Sequence, residues 1–314
     1  MSRRRARGAQ PHAEGAATRA FLGELIDHAP LFPPASLGLD DALAAHERAE
    51  SGTHFWMLGR FVVQAARLDE LIAALERDDA PGPLPLSVVL GSDAARDLPA
   101  VAELVRAHAS RIDVETIEAR APIAALAEAY EAADLPGEPE LYVELDVADP
   151  IALESWLLEL SRYREASDRD ACAKVRCGGP NADAVPSPSN LAHFVALAHG
   201  LGVPFKATAG LHHPFRHFNA EAGYVQHGFL NVAGAAVLMR AHELDRRALE
   251  TLLADEDPTH FKLDSERFSW CGVSAHAGDI GAARIRAFRS YGSCSFDEPV
   301  EDLTALGILV TAPQ

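Results

Sequence analysis

The chain has 314 residues, 48% of them hydrophobic and 24% charged, with a formal net charge of −18. That length can bury a core without disulfide or metal staples, and the acidic balance excludes nucleic acid as the main partner, since phosphate binding needs clustered Lys and Arg. No apolar run is long enough for a signal peptide or a membrane span, and four cysteines without CxxC spacing argue against a zinc ribbon or disulfide framework, so a cytoplasmic protein with reduced thiols is expected.

Residues 1–18, which include Ser2-Arg-Arg-Arg-Ala-Arg-Gly8, read as a disordered basic tail, and 19–314 as one domain. Short apolar runs then alternate with alanine-rich, helix-periodic stretches. Strands are expected at 29–32, 55–63, 86–90, 112–117, 141–147, 171–176, 205–209 and 268–273. Helices are expected at 39–51, 68–77, 98–110, 123–133, 151–165, 189–202, 226–241 and 278–290, with Ser189 as a cap and Pro150 in a first turn. An extra helix at 243–254 and a hairpin around Asp264-Ser-Glu-Arg267 precede the last strand. Residues 297–309 read as a terminal helix that closes the barrel base or packs on a partner. This alternation points to parallel βαβ units and an α/β fold of the TIM (β/α)8 type; a doubly wound sheet is the runner-up, without a GxGxxG to support it.

Strand parity sorts the inward side chains. In Leu141-Tyr-Val-Glu-Leu-Asp-Val147 the odd positions are apolar, so Tyr142, Glu144 and Asp146 face the axis. The same rule turns Cys172, Lys174 and Arg176 inward, then Lys206 and Thr208, and it adds Arg60 and Glu115. So many charges near strand ends point either to a functional site or to a layer of satisfied ion pairs.

Two of these residues head glycine-containing turns: Lys174-Val-Arg-Cys-Gly178 and Lys206-Ala-Thr-Ala-Gly210. Two ammonium groups about 5 Å apart would repel by about 3 kcal/mol at an effective dielectric near 20, holding one lysine neutral and nucleophilic. Over residues 171–214 the sequence resembles the deoxyribose-phosphate aldolase group of class I aldolases, in which the imine-forming lysine stands on the sixth strand and a second lysine on the seventh. The resemblance implies that Lys174 forms the Schiff base and Lys206 lowers its pKa. Arg176 and Cys177 stand where those aldolases carry small hydroxyl residues, and Leu211-His-His-Pro214 replaces their usual turn.

The expectation is a lyase acting on a small polar carbonyl compound, phosphorylated or carboxylated, without a cofactor. Lys174, Lys206, Glu144 and Glu115 would be catalytic, and Arg60, Arg176, Thr208, His212 and His213 would bind substrate. The alternatives are a metal-dependent lyase or hydrolase using His212, His213 or His217 with Glu144 or Asp146, and a non-catalytic scaffold. Neither nucleic acid nor membrane is an expected partner; assembly into a homo-oligomer is left open.

Overall fold

The structure, a computed structural model, describes residues 14–77, 82–167 and 169–310. The basic cluster of the tail lies outside them. Residues 16–18, placed in that tail on sequence grounds, belong instead to helix α1 (Ala16–Leu22). Helix α1 has no side-chain cap and is too short to hold itself, so packing accounts for it. Ala17 and Thr18 are buried, Thr18 Oγ1 donates to the Asp264 carbonyl at 2.9 Å, and Phe21 meets Phe268 with ring centroids 4.9 Å apart.

Strand and helix then alternate: β1 (Ile26–His28), α2 (Leu39–Ser51), β2 (Leu58–Gln64), α3 (Leu68–Glu76), β3 (Leu84–Val89), α4 (Ala94–Ala107), β4 (Ile112–Ala119), α5 (Ile123–Ala133), β5 (Glu140–Leu145), α6 (Pro150–Ala166), β6 (Ala171–Arg176), α7 (Pro188–Gly200) and β7 (Phe205–Thr208). An insertion follows, made of the hairpin β8 (His217–Asn219) and β9 (Tyr224–Gln226), then α8 (Phe229–His242) and α9 (Arg246–Ala254). A three-stranded antiparallel sheet, β10 (Phe261–Leu263), β11 (Arg267–Trp270) and β12 (Val273–His276), leads to α10 (Ala277–Arg286), β13 (Phe288–Ser293) and α11 (Asp297–Ala305). Strands β1 to β7 and β13 close into an all-parallel eight-stranded barrel in the order β1-β13-β7-β6-β5-β4-β3-β2. The fold is a TIM barrel.

Helix starts follow local chemistry. Asp149 accepts from the amides of Ile151 and Ala152 ahead of α6, with Pro150 in the first turn. Ser187, not the expected Ser189, caps α7 by accepting from the Asn190 amide. Among the described residues no helix is long and apolar enough to cross a membrane.

Two strand assignments change. The first strand lies at Ile26–His28 rather than 29–32, where Pro30 offers no ladder donor. The eighth is Phe288–Ser293, and the expected 268–273 overlaps β11 of the insertion, which pairs antiparallel with β10 and β12. In β13 the register shifts between Phe288 and Tyr291, so the outward rings at 288 and 291 are three apart and the two-residue period fails. Helix α11 starts at the carboxyl end of β13, where its Glu298 and Asp302 meet His212 and His213, so it packs at the mouth rather than closing the base.

Close packing tightens around β1. A Cβ built on Gly59 of β2 would fall 2.5 Å from Asp27 Oδ1 and 3.0 Å from the Ile26 carbonyl oxygen. Gly59→Ala is therefore expected to cost about 1–3 kcal/mol by displacing the Asp27 carboxylate. Urea unfolding checks this; an unchanged midpoint would mean that Asp27 is free to move aside.

Candidate active site

The inward residues of adjacent strands meet on the barrel axis in two layers. The layer at the amino ends of the strands is structural. Arg289, at the start of β13, bonds Glu140 at 3.3 Å and Asp170 at 2.8 Å, and the Tyr142 hydroxyl donates to Glu140 at 2.7 Å. Such a layer serves stability rather than chemistry, because barrel active sites lie at the opposite face.

The second layer is built by register. Glu144, Lys174 and Lys206 occupy paired positions across β5, β6 and β7. The carboxylate that joins the lysines is Glu118: Oε1 lies 2.6 Å from Lys206 Nζ, and Oε2 lies 2.8 Å from Lys174 Nζ. Lys206 also bonds Asp27 Oδ2 at 2.6 Å, and Lys174 bonds Glu144 Oε2 at 3.0 Å. Neutral donors complete the shell. Ser87 Oγ donates to Glu118 at 2.5 Å and receives the Thr116 hydroxyl at 2.6 Å, while Ser290 donates to Asp27 at 2.7 Å. The Arg60 amide donates to Asp27 Oδ1 at 3.0 Å.

These contacts set the charges. Burial pushes the Asp27 and Glu118 carboxyls up, but the adjacent cations outweigh it and hold both below the usual carboxylate range: Lys206 and Arg60 beside Asp27, Lys174 and Lys206 beside Glu118. Burial pushes the Lys206 amine down, yet Asp27 and Glu118 raise it further, and the Tyr142 ring lies 5.3 Å below its Nζ. Lys206 is thus held as an ammonium ion. The expected mutual repulsion does not leave it neutral, because Glu118 stands between the two amines.

Lys174 differs in position. It is 6% exposed against 1% for Lys206, and its partner Glu144 lines a cavity of about 340 Å³ at the carboxyl ends of β5 and β6. Arg120, Arg176, Asp146, Ser187 and Asn190 share that lining, so two guanidinium groups and the first turn of α7 border the opening. The carboxylates of Glu144, Asp146 and Asp183 line it as well, so the cleft carries both signs of charge.

The other expected site residues separate. Glu115 pairs with Arg60 at 3.0 Å. Arg60, held protonated by Asp27 and Glu115 despite burial, also approaches Asp27 Oδ1 at 3.7 Å. Thr208 lies against Gly292, where a built Cβ would be 3.0 Å from its Oγ1. His212 and His213 bond Glu298 at 2.9 Å and Asp302 at 2.7 Å, and His217 stacks edge-on to His213 at 4.6 Å. Asp146 accepts from the Ala148 amide. The group of described residues with three possible metal-ligand atoms within 4.8 Å is elsewhere, at Asp255, His260 and Cys271 on the insertion.

Sequence reasoning missed Asp27, Ser87, Glu118, Arg120 and Ser290. Asp27 carried a signal, an acid inside the apolar run Leu25-Ile-Asp-His28. Glu118 did not, because the β3–β4 register shifts between Leu86 and Ser87, pairing Val114 and Thr116 with consecutive residues. That bulge at Glu115 turns Glu118 inward, against the parity counted from the strand start. Compared with known proteins, the chain matches no family model and no curated protein.

Proposed function

We propose that this barrel is a lyase-type enzyme that acts through Lys174 on a small polar carbonyl compound bearing a phosphate or carboxylate. The observation that carries the reading is the asymmetry of the lysines: Lys206 is sealed and doubly paired, while Lys174 stands one hydrogen bond from a carboxylate that lines the mouth cavity. Lys206 occupies one Glu118 oxygen and Asp27, so Glu118 reaches Lys174 already partly neutralised. That makes Lys206 a positioning residue.

In this scheme a Lys174 proton passes to Glu144 Oε2, and the free amine attacks the substrate carbonyl carbon. A C–N bond forms, one proton moves from the attached nitrogen to the former carbonyl oxygen, and the resulting hydroxyl takes the proton held by Glu144 and leaves as water to give the protonated imine. Arg120 and Arg176 hold the anionic group with paired guanidinium donors. The imine then serves as the electron sink for breaking a carbon–carbon bond.

Borohydride reduction in the presence of aldehydes and keto acids, read by intact mass and peptide mapping, is expected to leave one adduct on Lys174. Lys174→Ala should abolish it, and Arg176→Ala should weaken it mainly for anionic substrates. Absence of any adduct across the panel would sink the imine reading. A second reading, a structural ion-pair layer in a non-catalytic barrel, draws on the complete pairing of Lys206. It requires that Lys174 stay unreactive to every carbonyl in the same experiment.

A further inference from the structure

On the carboxyl face of the barrel, in the β7–β13 sector, three side chains stand in line apart from the lysines. Cys294, the first residue after β13, carries a free, partly exposed thiol. Its Sγ lies 3.9 Å from His212 Nε2, and His212 Nδ1 lies 2.9 Å from Glu298 Oε2. The three come from the turn after β7, the segment after β13 and the first turn of α11, so only barrel closure brings them together.

The order of contacts fixes their roles. An ionised carboxylate only accepts, so Nδ1 carries the ring proton toward Glu298, and Nε2 presents its lone pair to the thiol. That tautomer is the one a general base requires. Burial pushes the Cys294 thiol up, and a backbone hydrogen bond from Ala35 pulls against it; the net direction is upward. A thiol kept protonated at rest attacks only with a base beside it, and His212 is that base. The Glu298 carboxylate also pushes the thiol up, while the Cys294 amide pulls it down.

We propose that Cys294, His212 and Glu298 form a second reactive centre that takes acyl groups from small activated esters or thioesters. The Sγ–C bond forms as the thiol proton moves to His212 Nε2. The bond from the acyl carbon to the leaving oxygen or sulfur then breaks, and the leaving group departs with that proton. Water, deprotonated by His212, hydrolyses the acyl-cysteine and restores the thiol. Glu298 acts through the imidazole and is a positioning residue. The centre shares no residue with the Lys174 scheme and stands or falls separately.

Incubation of the full chain with p-nitrophenyl acetate tests it. A burst of p-nitrophenolate and an acetyl group mapped to Cys294 are expected, both lost in Cys294→Ala. His212→Asn should slow acylation by about 100-fold or more, the usual contribution of a general base. Glu298→Gln should lower the rate and change its pH profile, a response that a purely structural contact would not produce. A measurement without variants guards against misfolding: in the native protein iodoacetamide should label Cys294 faster than the exposed Cys271. Faster labelling of Cys271, acetylation confined to lysines, or a Cys294 rate untouched by His212→Asn would each overturn the proposal.

Discussion

Glu118→Ala is expected to destabilise the protein by about 3–5 kcal/mol, the largest single-residue effect in the barrel. Removing one partner of a buried ion pair leaves the other charge without compensation, and that loss exceeds what the pair itself contributes. Here two ammonium groups each lose one of their two carboxylates at once, because Glu118 bonds both Lys174 and Lys206, which keep only Glu144 and Asp27. Ser87 also loses its acceptor. Glu118→Gln keeps the volume and one acceptor, so its cost should be smaller but in the same direction. Urea unfolding measures both. A shift in the midpoint with an unchanged slope reports stability, whereas a changed slope reports an altered native or unfolded state. A Glu118→Ala midpoint equal to that of the native protein would mean that Asp27 and Glu144 alone satisfy both lysines. If the lysine cluster is the reactive one, the variant should also lose borohydride trapping, since Lys174 would no longer be held beside Glu144.

Stability is expected to fall by about 3 kcal/mol for each of two histidines as the pH drops from 6.5 to 4. His28 and His227 are buried and are pushed down to about 4. For His28 burial dominates and Arg48 adds to it. For His227 burial dominates and Arg216 adds to it, against hydrogen bonds that the ring donates to the Pro186 and Leu253 carbonyls, which pull the other way. An unfolded histidine titrates near 6.5. Above that pH both states are neutral and the full contribution is present. Between 6.5 and 4 only the unfolded chain takes up the protons, so the native state loses ground; below 4 the folded rings protonate too and the loss levels off. Asp27 and Glu118, held below the ordinary carboxylate range, lose their contribution only further down, below about pH 4. Lys206, raised, loses its contribution only above about pH 10.4. The structural reason for the histidine effect is visible in the packing. His28 Nδ1 lies 3.2 Å from His46 Nδ1, a spacing that holds one proton between two neutral rings and not two charged ones. His227 Nε2 bonds the Pro186 carbonyl at 2.7 Å. Urea midpoints taken across pH 4 to 8 give the slope, and a flat profile over that range would show that both rings reach solvent.

Both effects depend on residues that sequence periodicity reads unevenly. Glu144, Lys174 and Lys206 were legible because β5, β6 and β7 alternate without interruption, and counting from either end gives the same face. Glu118 was not, because a bulge in β4 inserts one residue and reverses the count beyond it, and Ser290 was not, because its stretch reads as the end of a helix over 278–290 rather than as the eighth strand. His28 and His227 carry no periodic signal at all; a buried histidine becomes visible only when its neighbours are known.

The sequence by itself determined the repeating strand–helix order, and with it the parallel barrel, because each apolar run and each amphipathic stretch is a local pattern a few residues wide. It also determined that the sixth and seventh strands each carry an inward-facing lysine. What charge those lysines carry, which carboxylate lies between them and which histidine faces a thiol were decided by tertiary structure. The reason is distance along the chain. Lys206 meets Asp27 across 179 residues and Glu118 across 88, and His212 meets Cys294 across 82. Closing the barrel brings those groups within hydrogen-bond reach, and a pKa or a reactive pair is a property of the closed ring rather than of any segment in it.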